Sequence, residues 1–270
     1  GKAISYNNCL DIEASLNCLS EFNEPTCVVI KHNNPCGVAS NKNIDLALNR
    51  ALNSDPVSAF GGIVAINRIF DVKLAKIISK KFIEIIIAKG FKKEALNILK
   101  NKKNIILINS NNLYISKKKE IKSINNGYLV QEKNDVKIKL LHLKLKSNYK
   151  LKINSIEDLV FALKVCKHVK SNAIVLCKNK KTVGIGAGQM SRLDASQIAL
   201  MKTNILDKKK GFVAASDAFF PFTDNIKLLI KNNCKAIVQP SGSINDKKII
   251  DYANQKKIPL YFSKNRFFKH

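Results

Sequence analysis

VVIKHNNPCGVAS, residues 28 to 40, joins an apolar run to an abrupt polar exit. A short run of Val and Ile is typical of a strand that is buried on both faces. Lys31 and His32 follow this run at once, and the next residues, NNPCG, are rich in turn formers. We therefore predict a buried strand that ends at Lys31 and His32, with NNPCG forming the turn that exposes both side chains.

Helical and strand patterns alternate along the chain on both sides of this stretch. IDLALNRALNSDP has apolar residues at helical spacing and stops at Pro56, and SAFGGIVAINR is a glycine turn into a strand. A later helix is predicted to begin at Ser155 as its N-cap, with Glu157 and Asp158 in the first turn. Alternation of this kind predicts βαβ units, a largely parallel sheet and an α/β fold.

The middle of the chain is rich in Lys and Asn and has weak periodicity. NNGYLVQ is the firm feature there and predicts a turn into a short strand. We interpret this region as a crossover between two halves. The predicted organisation is a first subdomain over residues 1–110, a connecting segment over 111–152 and a second subdomain over 153–270. No period of 20 to 50 residues repeats, which argues against a solenoid.

Length and composition limit the class of protein. The chain has 270 residues, 46% of them hydrophobic, so it can bury a sizeable core. No apolar run approaches the roughly 20 residues that a membrane span needs, and GKAISYNNCL lacks a signal-peptide layout, so no membrane partner is expected. The first residue is not Met, and we expect the chain to begin inside a longer protein. The seven Cys show no CxxC spacing, which favours a reducing cytoplasm over a disulfide framework.

The formal net charge of +27 raises the question of nucleic-acid binding. Lys, Asn and Ile are abundant everywhere, as a coding sequence rich in A and T would produce. Lys far outnumbers Arg, and Arg is not interleaved with aromatic residues for base stacking. The charge therefore favours compositional drift together with small anionic substrates, and no nucleic-acid partner is expected.

Five predicted strand exits are polar, rich in glycine or both: KHNNPCG, SAFGG, GIGAGQMSR, SDAFFPFTDN and QPSGSIND. Ligands of open α/β sheets bind at the carboxyl ends of strands. GIGAG lacks the G-x-G-x-x-G spacing and the acidic residue about twenty positions later, which excludes a dinucleotide site. Gln189, Ser191 and Arg192 follow it, and they suit a ligand that is anionic or carries an amide.

Lys31 and His32 form the most chemical pair in the chain. A neutral imidazole serves as a general base at pH 7, and an ammonium group beside it can stabilise a developing oxyanion. From the residues alone, a structural histidine held by hydrogen bonds at a strand end stays open as the alternative.

Cys36 suggests a nucleophile or a zinc ligand. The zinc deaminase signature needs His-x-Glu and a later Pro-Cys-x-x-Cys. Asn34 stands where that Glu would be, and no second Cys follows Pro35 and Cys36 at the required spacing. We predict no catalytic metal and interpret Cys36 as buried and inert.

Segments along the whole chain together resemble the AICAR (5-aminoimidazole-4-carboxamide ribonucleotide) transformylase domain of the bifunctional purine biosynthesis enzymes. The matching segments, in the expected order, are GKAISYNN, VVIKHNNPCGVA, SDPVSAFGGIVAINR, KHVKSNAIVLCKNKKTVGIGAGQMSR, ASDAFFPFTDN and AIVQPSGSINDKKIIDYA. The resemblance implies an α/β fold of two cytidine-deaminase-like halves joined by a crossover segment, without catalytic zinc. It also implies formyl transfer from the co-substrate 10-formyltetrahydrofolate to the 5-amino group of AICAR, giving FAICAR in purine biosynthesis.

The resemblance also assigns roles to individual residues. His32 would accept the proton from the 5-amino group, and Lys31 would stabilise the tetrahedral species at the formyl carbon. The positions that match the family's nucleotide contacts are Gly61, Glu84, Asn172, Arg192, Phe219 and Arg266. The positions that match its folate contacts are Leu193, Asp224, Ser243 and Ile244. Phe219 would wall the imidazole of the nucleotide, and Arg266 would meet the 5′-phosphate.

Family members are homodimers whose active sites draw on both subunits, normally fused to an IMP cyclohydrolase domain. This chain starts after the family's Arg-Tyr-Gly-x-Asn-Pro-His-Gln stretch and lacks the cyclohydrolase domain, so weakened AICAR binding and no IMP ring closure are expected of it. Thr223 stands where many relatives carry Arg, which affects an expected ligand contact. The alternatives are a basic binding module of the same fold and a zinc-dependent base deaminase.

Overall fold

A computed structural model of the protein describes residues 3–112 and 119–270. Helices and strands are numbered in chain order. The first half contains α1 (Tyr6–Leu19), β1 (Thr26–Lys31), β2 (Asn34–Ser40), α2 (Ile44–Leu52), α3 (Pro56–Ala59), β3 (Ile63–Ile66), α4 (Val72–Ser79), β4 (Ile85–Ala88), α5 (Lys93–Leu99) and β5 (Ile106–Asn109). Between the halves lie β6 (Lys119–Ile124) and β7 (Gly127–Glu132).

The second half opens with a short strand that pairs at the far edge of its sheet. Its elements are β8 (Leu143–Leu145), α6 (Ile153–Cys166), β9 (Ile174–Cys177), β10 (Thr182–Gly186), α7 (Arg192–Lys202), α8 (Ile205–Lys210), β11 (Phe212–Ser216), α9 (Asp224–Lys231), β12 (Cys234–Pro240), α10 (Asp246–Gln255) and β13 (Leu260–Ser263). The predicted α/β class is confirmed.

The two large sheets repeat one topology. Among the described residues, the strand order is β2-β1-β3-β4-β5 in the first sheet and β10-β9-β11-β12-β13-β8 in the second. Strand β1 is antiparallel to both β2 and β3, and β9 is antiparallel to both β10 and β11. The next pairings, β3-β4-β5 and β11-β12-β13, are parallel, and β8 pairs antiparallel with β13. The prediction of a largely parallel sheet was therefore wrong. A short turn joins β1 to β2 and β9 to β10, and a connection of that length permits only antiparallel pairing.

The turn after β1 is shorter than predicted. Its two central residues, His32 and Asn33, have φ values of 51° and 65°, as a tight hairpin turn of the primed type requires. Asn34 already belongs to β2, and Pro35 pairs with Ile30 across a register shift. The prediction that NNPCG forms the turn was wrong, because β2 is an edge strand of its sheet, where proline is tolerated.

The two sheets meet along β2 and β10. Ala39 and Lys181 form an antiparallel bridge, and the backbone N–H of Val38 donates to Oγ1 of Thr182 at 3.0 Å. One buried apolar cluster also contains side chains from both sheets, together with α1 and α6. The two halves therefore share a buried core in addition to their seam, which is the line of contact between β2 and β10.

Glycine brings one helix unusually close to this seam in each half. A Cβ atom at Gly37 of β2 would lie 2.1 Å from the carbonyl oxygen of Ala51 in α2. A Cβ atom at Gly186 of β10 would lie 1.8 Å from the carbonyl oxygen of Ala195 in α7. Any side chain there would displace the helix, so these glycines allow α2 and α7 to pack directly against β2 and β10.

Helix α6 begins earlier than predicted. Its N-cap is Lys152, so Ser155, Glu157 and Asp158 lie beyond the cap, within the helix. The carboxylate of Asp158 instead accepts hydrogen bonds from the backbone N–H groups of Asn179 and Lys180, at 2.7 and 2.6 Å. The prediction was wrong because this acidic side chain serves a distant turn, and capping preferences describe only local contacts.

The hairpin of β6 and β7 confirms the strand predicted from NNGYLVQ. Strand β6 was not predicted, because KEIKSI is mostly charged and polar. Almost every residue of the hairpin is exposed. Across residues 3–112 and 119–270, no helix combines the length and apolar character that crossing a bilayer requires.

A buried ionic cluster holds the end of α1 against the end of α6. Nζ of Lys167 lies 2.8 Å from Oε1 of Glu21, and Nε2 of His168 lies 3.3 Å from the same oxygen. Burial raises the pKa of the Glu21 carboxyl, but hydrogen bonds and charge from His168 and Lys167 outweigh it and lower the pKa to about 2. Burial lowers the pKa of His168 below its usual value, against the attraction of Glu21.

Acid is therefore expected to weaken the fold through this cluster. Unfolded His168 takes up a proton near pH 6.5 and unfolded Glu21 near pH 4.5, whereas both resist protonation in the folded state. The unfolded state binds more protons in both ranges, so the free energy of unfolding falls below pH 6.5 and again between pH 4.5 and about 2. Urea titration at several pH values measures this slope.

The variant Glu21→Gln isolates the contribution of the carboxylate. It is expected to be less stable than the wild type at pH 7 and to lose less stability between pH 4.5 and about 2. Glu132→Gln, on the exposed hairpin, serves as the control and retains the wild-type slope. An unchanged slope in Glu21→Gln would contradict the assignment.

Candidate active site

Three predicted site residues lie at one edge of the first sheet. Lys31 ends β1, and Gly61 and Glu84 precede β3 and β4, whose first residues lie at the same edge. Nζ of Lys31 donates to the carbonyl oxygen of Phe60 at 2.6 Å. Gly61 has a φ of 71°, and a Cβ atom there would lie 4.0 Å from Oε1 of Glu84. The structure therefore brings Lys31, Gly61 and Glu84 together.

His32 stands at the tip of the hairpin with its side chain exposed. Its φ of 51° lies in the left-handed region, which costs a non-glycine residue of order 1 kcal/mol. Asn33 is fixed from behind, because its N–H donates to Oδ1 of Asp11 in α1 at 2.5 Å. Strained residues that the surrounding structure holds in place cluster at active sites, and this one carries the side chain best suited to proton transfer.

The hairpin tip is bound to the second half. Oδ1 of Asn34 accepts the backbone N–H of Lys170 at 2.9 Å, two residues before Asn172. Among the described residues, no hydrogen bond or ion pair joins His32 itself to Asn172 or Arg192. The hydrogen bond from Lys170 to Asn34 thus links the hairpin of the first half to the segment that carries Asn172 in the second half.

A cleft of about 220 Å³ opens between the halves beside the hairpin. Its wall includes the ion pair between Lys202 of α7 and Asp55, which also accepts a hydrogen bond from the hydroxyl of Ser58 at 2.6 Å. Burial raises the pKa of Asp55, but the bonds from Lys202 and Ser58 outweigh it and lower the pKa below its usual value. The lining residues are Lys31, His32, Asn34, Pro35, Cys36, Ser54, Asp55, Ser58, Thr182, Gly184, Ile185, Ala187, Ile198 and Lys202.

The predicted nucleotide contacts of the second half converge at one edge of its sheet, where β9 begins and β11 ends. Nδ2 of Asn172 donates to the carbonyl oxygens of Gln189 and Met190, at 2.9 and 3.0 Å. The guanidinium carbon of Arg266 lies 4.7 Å from the ring centroid of Phe219, a cation–π contact. Arg192, the first residue of α7, lies at the same edge.

The predicted folate contacts lie on the loops and helix starts that follow β10, β11 and β12. Leu193 is half-buried in the first turn of α7, and Asp224 opens α9. Oγ of Ser243 accepts the N–H of Asn245 at 3.1 Å, whereas the side chain of Ile244 is fully exposed. The loop that carries them comes close to the nucleotide contacts, because a Cβ atom at Gly242 would lie 3.0 Å from Nη2 of Arg266.

Thr223 occupies the N-cap position of α9, but its side chain makes no capping hydrogen bond there. The structure therefore gives the Thr223 side chain no capping role at the start of α9.

Asp217 is the residue of this edge that the sequence reasoning missed. Its side chain is fully buried and lies 2.9 Å from Nη2 of Arg192, measured from Oδ1. Ser171 and Ser216 belong to the same network. An available signal was an acidic residue directly after the apolar strand FVAAS, where a carboxylate needs a buried partner.

Cys36 is half-buried, so the prediction of a buried side chain was wrong, but its thiol has an inert environment. Its Sγ lies 3.5 Å from the carbonyl oxygen of Val29, and burial raises the pKa of the thiol to about 12. The thiolate is the form that attacks substrates and binds metals, so neutral pH leaves this side chain unreactive. Among the described residues, no group of three or more His, Cys, Asp or Glu side chains is arranged to hold a metal ion.

Comparison with known proteins places these observations in a family. A family model described as the AICARFT/IMPCHase bienzyme matches residues 1–202. The chain is similar to proteins named bifunctional purine biosynthesis protein PurH from several bacteria. It is 48% identical over 272 residues to that of Fusobacterium nucleatum subsp. nucleatum, and 46% identical over 275 residues to that of Caldicellulosiruptor saccharolyticus. It is 46% identical over 274 residues to that of Buchnera aphidicola subsp. Baizongia pistaciae.

Each of these matches covers 100% of this chain but only 52 or 53% of the relative. The chain thus spans about half the length of the curated relatives it matches. Since the family model covers most of the chain and the similarity to these relatives runs through all of it, the chain belongs to the AICARFT/IMPCHase bienzyme family.

Proposed function

We propose that this chain transfers a formyl group from 10-formyltetrahydrofolate to the 5-amino group of AICAR, giving FAICAR in purine biosynthesis. The observation that carries the proposal is the hairpin tip, where an exposed His32 at positive φ follows Lys31. Family membership supports the reaction class, and the bifunctional name of the relatives supports its place in purine biosynthesis.

The chemistry needs a base and a cation at one point. The amine of AICAR is a poor nucleophile, because the neighbouring carboxamide withdraws its lone pair. As its nitrogen bonds to the formyl carbon, His32 takes the amine proton, and the ammonium of Lys31 stabilises the negative charge on the formyl oxygen. The oxyanion then re-forms the carbonyl as the bond from the formyl carbon to folate nitrogen breaks, and that nitrogen leaves with the proton that His32 took up.

The nucleotide would be held by groups of complementary charge and shape. Arg266 suits the 5′-phosphate, and its guanidinium rests on the ring of Phe219, which suits the flat imidazole. Asn172 and Arg192 suit the carboxamide and its neighbours, and Gly61 and Glu84 would close the site from the first half. Leu193, Asp224, Ser243 and Ile244 would contact the folate, where the exposed side chain of Ile244 offers an apolar surface.

Assembly and fold detail belong to the same proposal. The repeated strand order supports two cytidine-deaminase-like halves. The proposed subdomains are 1–110 and 153–270, joined by 111–152, of which β8 adds a strand to the second sheet. Large apolar side chains at both site edges are exposed, which supports a homodimer with shared active sites. The exposed set includes Phe60, Phe82, Met190, Phe222, Ile244 and Phe268. We further propose a cytoplasmic protein joined to an IMP cyclohydrolase domain, as the relatives' bifunctional name suggests.

The direct test measures FAICAR formation by the purified intact protein from AICAR and 10-formyltetrahydrofolate. We expect turnover without added metal and a thermal shift with AICAR. A generic DNA duplex serves as the control for the basic surface. Stabilisation by the duplex alone, with neither turnover nor a response to AICAR or folate, would favour a basic binding module. Stoichiometric zinc in the purified protein would instead favour a base deaminase.

A further inference from the structure

Asp217 is a buried carboxylate at which three segments of the second half meet. Oδ1 accepts the N–H of Ala173 at 3.2 Å and lies 2.9 Å from Nη2 of Arg192. Oδ2 accepts the hydroxyl of Ser171 at 2.5 Å. The backbone carbonyl of Asp217 accepts the N–H of Phe267 at 2.9 Å. Each of these contacts adjoins or contains a residue that the proposed function assigns to the nucleotide.

The residues bonded to Asp217 are chain neighbours of the proposed nucleotide contacts. Asn172 lies between two residues that bind the Asp217 side chain, and Arg266 precedes the residue that binds its carbonyl. Phe219 follows Asp217 by two residues. Of the six proposed nucleotide contacts, Arg192 therefore binds Asp217 directly. Asn172, Phe219 and Arg266 lie within two residues of Asp217 or of a residue bonded to it.

The guanidinium of Arg192 is held along one edge only. Nε donates to Oγ of Ser216 at 3.1 Å, and Nη2 donates to Asp217. Within the described residues, these are its side-chain hydrogen bonds, so the Nη1 side keeps its donors for a ligand. An arginine fixed at one edge presents the other edge as a preorganised fork, which a mobile arginine does not.

The first half contains the same position with a different residue. Asn67 directly follows β3, as Asp217 directly follows β11, in the repeated topology. Oδ1 of Asn67 accepts the N–H of Thr26, at the start of β1, at 2.9 Å. The N–H of Asn67 donates to the carbonyl of Thr26 at 3.4 Å, as that of Asp217 does to Ala173 at 3.3 Å. A neutral amide thus makes the equivalent contacts in the first half.

Asn67 and Asp217 together show which contacts need only a hydrogen-bond acceptor and which need a negative charge. Closing the start of the first strand against the end of the third requires an acceptor, and Asn67 supplies one without a charge. The amide nitrogen of Asn67 donates to the carbonyl oxygens of Phe22 and Glu24, where Asp217 instead meets Ser171 and Arg192. The negative charge of Asp217 is therefore needed for its contact with Arg192, and not for joining the two strands.

We propose that Asp217 is a positioning residue that fixes the guanidinium of Arg192, and with it the edge formed by Asn172 and Arg266, for binding the nucleotide. This assignment rests on the proposed function for the identity of the nucleotide. The fixing of Arg192 itself does not depend on that identity.

The test compares Asp217→Asn with the wild type in the intact protein. The amide keeps the acceptor that the fold needs, as Asn67 does, but it cannot pair with the arginine charge. The dissociation constant of AICAR, measured by calorimetry without folate, is expected to rise about 10- to 100-fold, and KM for AICAR with it. The value of kcat at saturating AICAR is expected to change much less, because the base and the oxyanion partner lie in the first half.

Asp158→Asn is the matched control. Asp158 is also a buried carboxylate of the second half that accepts two hydrogen bonds, but they come from the turn at Asn179 and Lys180. This control is expected to lower the thermal midpoint, while AICAR binding stays at the wild-type value. If Asp217 had a purely structural role, AICAR binding would instead weaken in both variants, in proportion to the loss of thermal midpoint in each.

A double-mutant cycle tests the coupling to the arginine. Arg192→Gln is expected to weaken AICAR binding, and Arg192→Gln combined with Asp217→Asn is expected to bind no worse than Arg192→Gln alone. Additive losses would overturn the proposal. A dissociation constant within about twofold of the wild type for Asp217→Asn would overturn it as well.

Nitrogen NMR of the arginine Nη–H groups supplies a readout without any ligand, because Nη2 of Arg192 is the atom that donates to Asp217. The Arg192 Nη–H signal, identified by its loss in Arg192→Lys, is expected to be protected from exchange in the wild type and in Asp158→Asn, and unprotected in Asp217→Asn. A protected signal in Asp217→Asn overturns the positioning role. A wild type that neither binds AICAR nor forms FAICAR, yet shows the expected NMR pattern, contradicts the proposed function alone.

Discussion

Replacing His32 with Asn is expected to lower kcat for AICAR formylation by a factor of about 10² to 10⁴, the usual contribution of a placed general base. Asn tolerates the left-handed backbone that His32 adopts at a φ of 51°, so the hairpin keeps its shape. It has no group that can accept a proton at neutral pH. The loss should therefore appear in kcat, with the thermal midpoint unchanged and the dissociation constant of AICAR within a few-fold of the wild type.

The control for this variant is His142→Asn. His142 lies in the connecting region, where its Nδ1 accepts the N–H of Lys139 at 3.3 Å, outside the candidate site. It is expected to keep wild-type turnover. If His32→Asn retained most of the wild-type kcat, the proton would be taken by another group, and the hairpin tip would lose its proposed role.

Replacing Lys31 with Met is expected to lower kcat by a factor of about 10² to 10³, which is the typical loss when one stabilising donor to an oxyanion is removed. Met keeps the length and much of the apolar stem of Lys. In the structure, Nζ of Lys31 spends one donor on the carbonyl of Phe60 at 2.6 Å, which holds the ammonium in place. Two of its three donors are then left for a substrate oxygen.

Lys102→Met is the matched control, because Nζ of Lys102 also donates to a backbone carbonyl, that of Lys81 at 2.7 Å. It lies away from the hairpin and is expected to leave kcat unchanged. Steady-state kinetics at saturating AICAR and folate measure both variants. Equal effects of the two substitutions would show that Lys31 acts through general charge and not at the reacting atoms.

The apolar periodicity of the sequence was enough to predict the α/β class and the strand that ends at Lys31. It was not enough to predict strand direction. A two-residue turn and a helical crossover both follow an apolar run, and only the positive φ of His32 and Asn33 shows that the chain reverses there. Strand β6 escaped prediction for a different reason. Its residues are exposed, so no buried face imposed a periodicity of two on them.

The candidate site, like the fold, could be predicted from the sequence only in part. The motifs around Lys31, Arg192 and Phe219 could be found in the sequence, because strand exits carry functional side chains in this class of fold. Asp217 could not be assigned, because its partners Ser171 and Arg192 lie 46 and 25 positions away along the chain. Its role depends on which strands are neighbours, and that follows from a topology the sequence pattern did not specify.

The repeated topology gives the molecule two equivalent hairpin turns, and they have diverged in what they do. In the second half, the counterparts of His32 and Asn33 are Asn179 and Lys180, with φ values of 51° and 53°. Both of their amides are bound by Asp158, and Nζ of Lys180 lies 3.1 Å from carboxylate oxygens of Glu24 and Glu157. One copy of the turn is thus a fastener between the halves. The other copy has the same backbone geometry but leaves its histidine side chain exposed, so one of two equivalent corners fastens the halves while the other presents an imidazole to the solvent.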